Sequence, residues 1–261
     1  MTKSFTSALI GIAMKEGYIE SLEQKMVEFF PERTIQNLDS WKQNITLEDM
    51  LTMRAGIEWD ESSYPYTDLR NTYIECSRSD DMVQFVLDRE MAAEPGQIWN
   101  YNTGVSHLLS AIILEITGYD ILDLANKFPF EPLGIKDAYW EHDRQGLTYG
   151  GSGLVLTPRD MAKFGLLYLE NGTWDGEQIV PADYVAASIR TYSSFSPEEG
   201  YGYHWWTFPT HGTFAASGLY GQIIGVSPEL DLVVVLTAEL PESEGKEEYS
   251  QILYLLMEAC K

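Results

Sequence analysis

The pattern of apolar residues changes period after Gly150, and that change limits what this chain can fold into. Ahead of it, apolar residues recur at helical spacing and the segments end on glycine. Phe5, Leu9, Ile12 and Ala13 mark a first helix that Gly17 stops. A short helix follows near 22–29. Thr46 caps another that runs to Met53, with Asp49 at the third position and Gly56 at its end. Further helices are expected from Asp80 to Arg89, over 103–117 with Gly118 as its stop, and over 121–127. Beyond Gly150, helices starting at Thr157-Pro158 and at Pro181 give way to strands over 203–208, 213–217, 222–226 and 230–238. Asp231-Leu232-Val233-Val234-Val235-Leu236 has the continuous apolar run of a buried strand. An amphipathic helix over 249–260 closes the chain. The fold class is α/β (α+β), an antiparallel sheet flanked by helices with an inserted all-helical region. Residues 1–17 and 150–261 form the α/β part and 18–149 the inserted part, as one structural unit overall.

With 44% hydrophobic residues, 261 residues can bury a sizeable core. The net charge of −23 repels nucleic acid and anionic membranes and excludes both as partners. No apolar run reaches the length of a membrane span. No signal peptide opens the sequence, which as written points to the cytoplasm. The segment 239–248 is the densest acidic stretch and is expected to be an exposed loop. Cys76 and Cys260 are far apart, and nothing in their spacing implies a disulfide. His107, His142, His204 and His211 lack metal-ligand spacing and are expected to be structural, so no metal or cofactor is implied.

Three segments could carry chemistry. Lys3 lies at the start of the first helix, one residue before Ser4. Trp99-Asn100-Tyr101-Asn102-Thr103-Gly104 places a tyrosine just before a helix. Ala215-Ala216-Ser217-Gly218-Leu219-Tyr220-Gly221-Gln222 is a strand end whose glycines let a ligand approach the backbone closely. In this order and at these intervals they resemble the serine β-lactamase and penicillin-binding-protein superfamily. The nearest branch is the class C β-lactamase-related one, which also holds esterases, D-aminopeptidases and nylon-oligomer hydrolases. The resemblance spans the chain. It takes in the 45–57 segment, Glu94-Pro95-Gly96, Pro132-Leu133-Gly134-Ile135, Gly151-Ser152-Gly153-Leu154 and Thr157-Pro158-Arg159-Asp160.

That resemblance implies an acyl-enzyme hydrolase acting on a small ester, amide or peptide. Lys3 matches the lysine of Ser-x-x-Lys, one helical turn past a nucleophilic serine whose proton it takes. Tyr101 matches the tyrosine that shares the base role and protonates the leaving group. Thr103 stands where relatives more often have asparagine. Ala216, Ser217 and Gly218 stand where relatives have Lys-Thr-Gly or His-x-Gly, so the cation there is absent. The N–H of Leu219 matches one oxyanion donor, and Tyr220 adds an aromatic surface beside it. Tyr203, Trp205 and Trp206 suggest apolar surroundings, although large aromatics mainly supply buried area.

The serine itself would fall at the position ahead of Met1, and no other serine replaces it. Ser243-Glu244-Gly245-Lys246 lies in the acidic stretch with no apolar helix behind it. Ser152 fails Gly-x-Ser-x-Gly at the last position. The expected chain is therefore an N-terminally truncated member of the family, without the helix and two strands its relatives carry ahead of the nucleophile, and nearly inactive as written. The alternative is a pseudoenzyme or fragment that binds a small acyl or peptide ligand. Without those strands, one sheet edge is expected to be open to self-association.

Overall fold

The computed structural model describes residues 1–239. The acidic stretch beyond Glu239, the closing helix over 249–260 and Cys260 lie outside the described residues.

Helix α1 (Thr2–Lys15) is the centre of the molecule, with every residue from Thr2 to Ala13 buried. A helix enclosed on all sides must satisfy its own polar side chains. Ser4 Oγ donates to His204 O at 2.7 Å and Thr6 Oγ1 to Gly150 O at 2.6 Å, while Ser7 Oγ sits 3.1 Å from the Tyr184 hydroxyl. Gly11 is where a ring crosses the helix: a Cβ there would lie 2.5 Å from Tyr184 Cδ1. Phe5 stacks on Phe164 with ring centroids 3.6 Å apart.

One side of α1 faces the inserted helices: α2 (Leu47–Leu51), α3 (Thr72–Arg78), α4 (Met82–Asp88), α5 (Thr103–Thr117) and α6 (Ile121–Ala125). Of these, α5 and α6 pack on α1 directly. Helix α5 is held at both ends. Asn102 Oδ1 accepts from Val105 N, and Gly118 takes the left-handed conformation at φ 71°. Two short ladders follow in the chain, β1 (Tyr139–Trp140) with β2 (Leu154–Val155), and β3 (Thr173–Trp174) with β4 (Glu177–Gln178). Helix α7 (Pro158–Leu169) lies between these ladders in sequence, and α8 (Ala182–Ser188) follows them.

The other side of α1 faces a six-stranded antiparallel sheet. Its strands are β5 (Ser193–Ser194), β6 (Gly200–Tyr201), β7 (Trp206–Phe208), β8 (Thr213–Ser217), β9 (Ile223–Ser227) and β10 (Leu232–Leu236). They pair in sequence order as a meander, from β5 at one edge to β10 at the other. Helix α7 packs on β9 and β10, and α1 touches β8. One core cluster contains side chains from α1, the inserted helices and the sheet. The architecture is the mixed α/β one expected. Among the described residues, no helix is long and apolar enough to cross a membrane.

Lys42 shows how the irregular 18–45 segment is fixed. Its side chain is fully buried, and its ammonium donates to Gln36 O at 2.9 Å, Leu87 O at 2.9 Å and Arg89 O at 2.5 Å. Two of those carbonyls belong to the end of α4, so one cation closes a helix C-terminus and ties a loop to it. Replacing Lys42 with Met would keep the volume and strand three buried carbonyls. The expected loss is about 3 kcal/mol, read as a lower urea midpoint at unchanged slope.

Candidate active site

The start of α1, the turn before α5, the glycine loop at 150–153 and the end of β8 meet around a cavity of about 530 Å³. Lys3 is 8% exposed there. Its Nζ donates to Gly151 O at 3.0 Å and lies 4.5 Å from the centroid of the Tyr101 ring. The loop reaches Lys3 because it has no side chain at two positions. A Cβ on Gly150 would sit 1.9 Å from Ser106 O, and one on Gly151 would sit 2.5 Å from Thr103 Cγ2. The Tyr101 ring is in turn fixed by aromatic neighbours. Trp206 stacks on it at 6.4 Å, and Trp99 and Tyr201 lie at 6.1 and 6.5 Å.

The end of β8 forms the facing wall. Ser217, Gly218, Leu219 and Tyr220 all line the cavity. Tyr220 holds φ 63°, a left-handed conformation that L residues seldom adopt outside functional turns. That turn leaves Leu219 and Tyr220 at the mouth, 42% and 44% exposed. The amino nitrogen of Met1 donates to Ser217 O at 2.7 Å, and a Cβ on Gly218 would lie 3.2 Å from it. The Met1 nitrogen thus lies at the cavity against the Ser217-Gly218 wall.

Two of the residues expected at the site behave differently from the others. Ala216 is fully buried in the core and is not on the cavity wall. It was expected to touch substrate; in β8 the exposed Ser217 faces one way and the buried Ala216 the other. Thr103 does line the cavity, but its hydroxyl is committed. It donates to Glu61 Oε1 at 2.5 Å.

Glu61 was not singled out in the sequence, nor were Tyr66 and Tyr73, which also line the cavity together with Ser152. Glu61 is 6% exposed and accepts from Trp59 Nε1, Tyr66 OH and Thr103 N, each at 2.8 Å, besides the Thr103 hydroxyl. Tyr73 OH and Ser152 Oγ pair at 2.9 Å. Burial lifts the Tyr73 phenol to about 12, so it stays protonated. His204 supports the site from behind. Its Nδ1 lies 3.1 Å from Lys3 O and its Nε2 3.4 Å from Ser106 Oγ. It thus joins the lysine helix to α5. Burial, then the charge of Lys3, lowers its pKa to about 3, so the ring is neutral and Nδ1–H donates to Lys3 O.

Solved structures share this arrangement of helices and sheet. One from Bacillus anthracis, described as a 6-aminohexanoate-dimer hydrolase, superposes with a TM-score of 0.83 at 24% identity, covering 99% of this chain and 70% of that one. An octameric penicillin-binding protein homologue from Pyrococcus abyssi gives a TM-score of 0.76 at 23% identity, covering 98% of this chain and 64% of that one. The fold is the β-lactamase and transpeptidase fold. The beta-lactamase family model matches residues 1–256, and the chain belongs to that family. Among curated proteins, the 6-aminohexanoate-dimer hydrolase of Paenarthrobacter ureafaciens is 23% identical over 266 residues, or 94% of this chain. The chain spans 66% of that relative's length.

Proposed function

We propose that this site is the acyl-transfer centre of a serine hydrolase for uncharged esters or linear amides, its nucleophile at the position directly ahead of Met1. The carrying observation is that Met1, Lys3, Tyr101 and the Ser217-Gly218 wall line one cavity, with the Met1 nitrogen against Ser217 O and the Lys3 amine against the Tyr101 ring. A serine placed there is one helical turn before Lys3, on the same helix face. Its oxygen attacks the substrate carbonyl and its proton passes to the Lys3 amine. Negative charge gathers on the carbonyl oxygen, and the N–H groups of the serine and of Leu219 are the donors assigned to it. Tyr101 returns a proton to the leaving alcohol or amine. A water then attacks the acyl-serine, with the same pair taking its proton, and the acid is released.

The substrate class follows from what the cavity lacks. Lys3 is the only basic side chain among the described residues that line it, and it serves the chemistry. The carboxylate of a β-lactam would find no second cation. The 6-aminohexanoate dimer named for two relatives is a linear amide, which suits the same carbonyl chemistry. With a serine ahead of Met1, p-nitrophenyl butyrate is expected to turn over faster than nitrocefin, measured as kcat/KM side by side. Faster nitrocefin hydrolysis would overturn this substrate assignment.

A further inference from the structure

Two backbone carbonyls hold the Lys3 end of α1. Thr6 Oγ1 donates to Gly150 O at 2.6 Å, and Lys3 Nζ donates to Gly151 O at 3.0 Å. Both carbonyls belong to the segment 141–153, which joins β1 to β2. A ladder of two-residue strands is too short to set where that segment lies. Its position comes from α5.

His107 on α5 and Asp143 in the segment form a buried pair. Their side chains are 1% and 3% exposed, and His107 Nε2 lies 3.1 Å from Asp143 Oδ2. The other oxygen, Oδ1, accepts from Gln145 N at 2.8 Å and Leu147 N at 3.0 Å. One oxygen thus shapes the turn, and the other fastens it to α5. Burial acts to raise the Asp143 pKa, but the hydrogen bonds from His107, Leu147 and Gln145 outweigh it and hold the carboxyl below its ordinary 3.8. The carboxylate is therefore ionised at neutral pH, and His107 Nε2–H is the donor. The second ring nitrogen, Nδ1, is buried with no hydrogen-bond partner among the described residues. Asp143 alone orients the ring by hydrogen bonding.

Thr103, Ser106 and Ser110 lie on the same face of α5 as His107. A Cβ on Gly151 would lie 2.5 Å from Thr103 Cγ2 and one on Gly150 1.9 Å from Ser106 O, while Ser110 Oγ donates to Thr148 O at 2.7 Å. Those contacts are steric or neutral. The His107 contact involves an ionised group, and removing its donor leaves a carboxylate oxygen buried and unpaired. The segment relieves that cost by moving Asp143 toward water, and Gly150 and Gly151 move with it.

We infer that His107 and Asp143 are positioning residues for the general base: their pair locks the 141–153 segment to α5, so that the Gly150 and Gly151 carbonyls hold α1 and the Lys3 amine in place. This rests on the reading of Lys3 as the base, but its first measurement needs no turnover.

The test is acetylation of residues 1–261 by limiting acetic anhydride, with each lysine read by peptide mass spectrometry. Lys3 is scored against the exposed Lys136 of the same molecule. His107→Leu is expected to raise the Lys3 ratio at least about threefold, because the amine loses its carbonyl and the segment that shields it. His107→Gln, whose amide still donates to Asp143, should stay within about twofold of the parent. Lys42→Met, weakened away from the cavity, should also keep the parent ratio and so controls for general loosening. Asp143→Asn is measured in case His107→Leu does not fold. It keeps Oδ1 for both backbone N–H groups, changes only the atom facing His107, and should raise the ratio about twofold. With a serine ahead of Met1, His107→Leu or Asp143→Asn should lower kcat for p-nitrophenyl butyrate about tenfold while KM stays within about twofold, since the base and not the substrate is displaced. A Lys3 ratio that neither variant moves, an equal rise in Lys42→Met, or a loss carried by KM would overturn the inference. If the ratios follow the expected order but the serine-bearing form hydrolyses no ester, the hydrolase reading fails and this one stands.

Discussion

Adding a single serine ahead of Met1 is expected to change a polypeptide that barely touches esters into one that hydrolyses them, with a gain on the order of 10⁶ in turnover. The magnitude is that of sites whose nucleophile, base and oxyanion donors act as a unit, where removing the nucleophile alone costs nearly everything. Two features make a gain of that size plausible in physical terms. The position ahead of Met1 joins a helix that is buried from Thr2 onward, so the new residue inherits a rigid mount. The amine it must pass its proton to is also fixed, by Gly151 O at 3.0 Å and by the Tyr101 ring. The measurement is p-nitrophenyl butyrate hydrolysis together with fluorophosphonate labelling, for residues 1–261 with and without the serine. Lys3→Met in the serine-bearing form should return it close to the starting level while the label count falls with it. Fast hydrolysis by residues 1–261 alone would show that another side chain is the nucleophile. Ser152, bonded to Tyr73 at the cavity wall, would then be the first to replace.

How much of this was legible in the sequence depends on the distance over which each feature is encoded. Helix α5 was readable to the residue because both its ends are marked locally, by the Asn102 side chain and the left-handed Gly118. Strands β8 and β9 were readable because alternation and glycine boundaries lie within ten residues of each other. Helix α3 was not expected at all. Only Thr72 and Cys76 of its seven residues are buried, too few to set a period. The two-residue strands β1 to β6 are no longer than one cycle of alternation and left no signal. For α4 the capping residue is Asp81, one past the acid expected, since either of two adjacent aspartates satisfies the pattern.

The site divides in the same way. Lys3, Tyr101 and the Ser217–Tyr220 segment, which line one cavity, were singled out because motif order is written in one dimension. Glu61 was not, because its role is created by donors at 59, 66 and 103 that only the fold brings together. One acid among 40 acidic residues carries no local mark of being buried. Ala216 differs for another reason. Motif position puts it at the site, while strand alternation turns it to the opposite face from the cavity-lining Ser217. A lysine introduced at Ala216 would accordingly enter the core, where a lone cation is costly.

Acid is expected to destabilise residues 1–261 from about pH 8 downward, long before the carboxylates begin to matter, and the serine-bearing form with its terminus acetylated only from about 6.5. Two groups set these limits. The Met1 amine is lowered from 8.0 to about 4, by burial first and by the Lys3 charge second. His204 is lowered from 6.5 to about 3 by the same two causes in the same order. For a base with a depressed pKa, the unfolded chain binds a proton that the folded chain refuses. Stability therefore rises with pH between the folded and unfolded values, and is lost on acidification through that interval. For Met1 the interval is about 4 to 8, for His204 about 3 to 6.5, and each is worth on the order of a few kcal/mol at full effect. A residue ahead of Met1 turns the amine into a peptide N–H, which does not titrate, and acetylation of the new terminus removes the amine that would replace it, so the interval disappears while that of His204 remains. The depressed carboxyls of Asp81, Asp143 and Asp160 act lower, since their stabilisation is lost only as pH falls below the ordinary 3.8. Melting temperatures from pH 9 to 4 separate Met1 from His204 without reaching the carboxyls. The two polypeptides should diverge below pH 8, and His204→Asn should flatten the fall below 6.5, because asparagine tolerates the φ of 59° at that turn and carries no titrating group. Parallel profiles for the two polypeptides between pH 8 and 6.5 would mean that the Met1 nitrogen reaches solvent and that the position ahead of it does not enter the cavity.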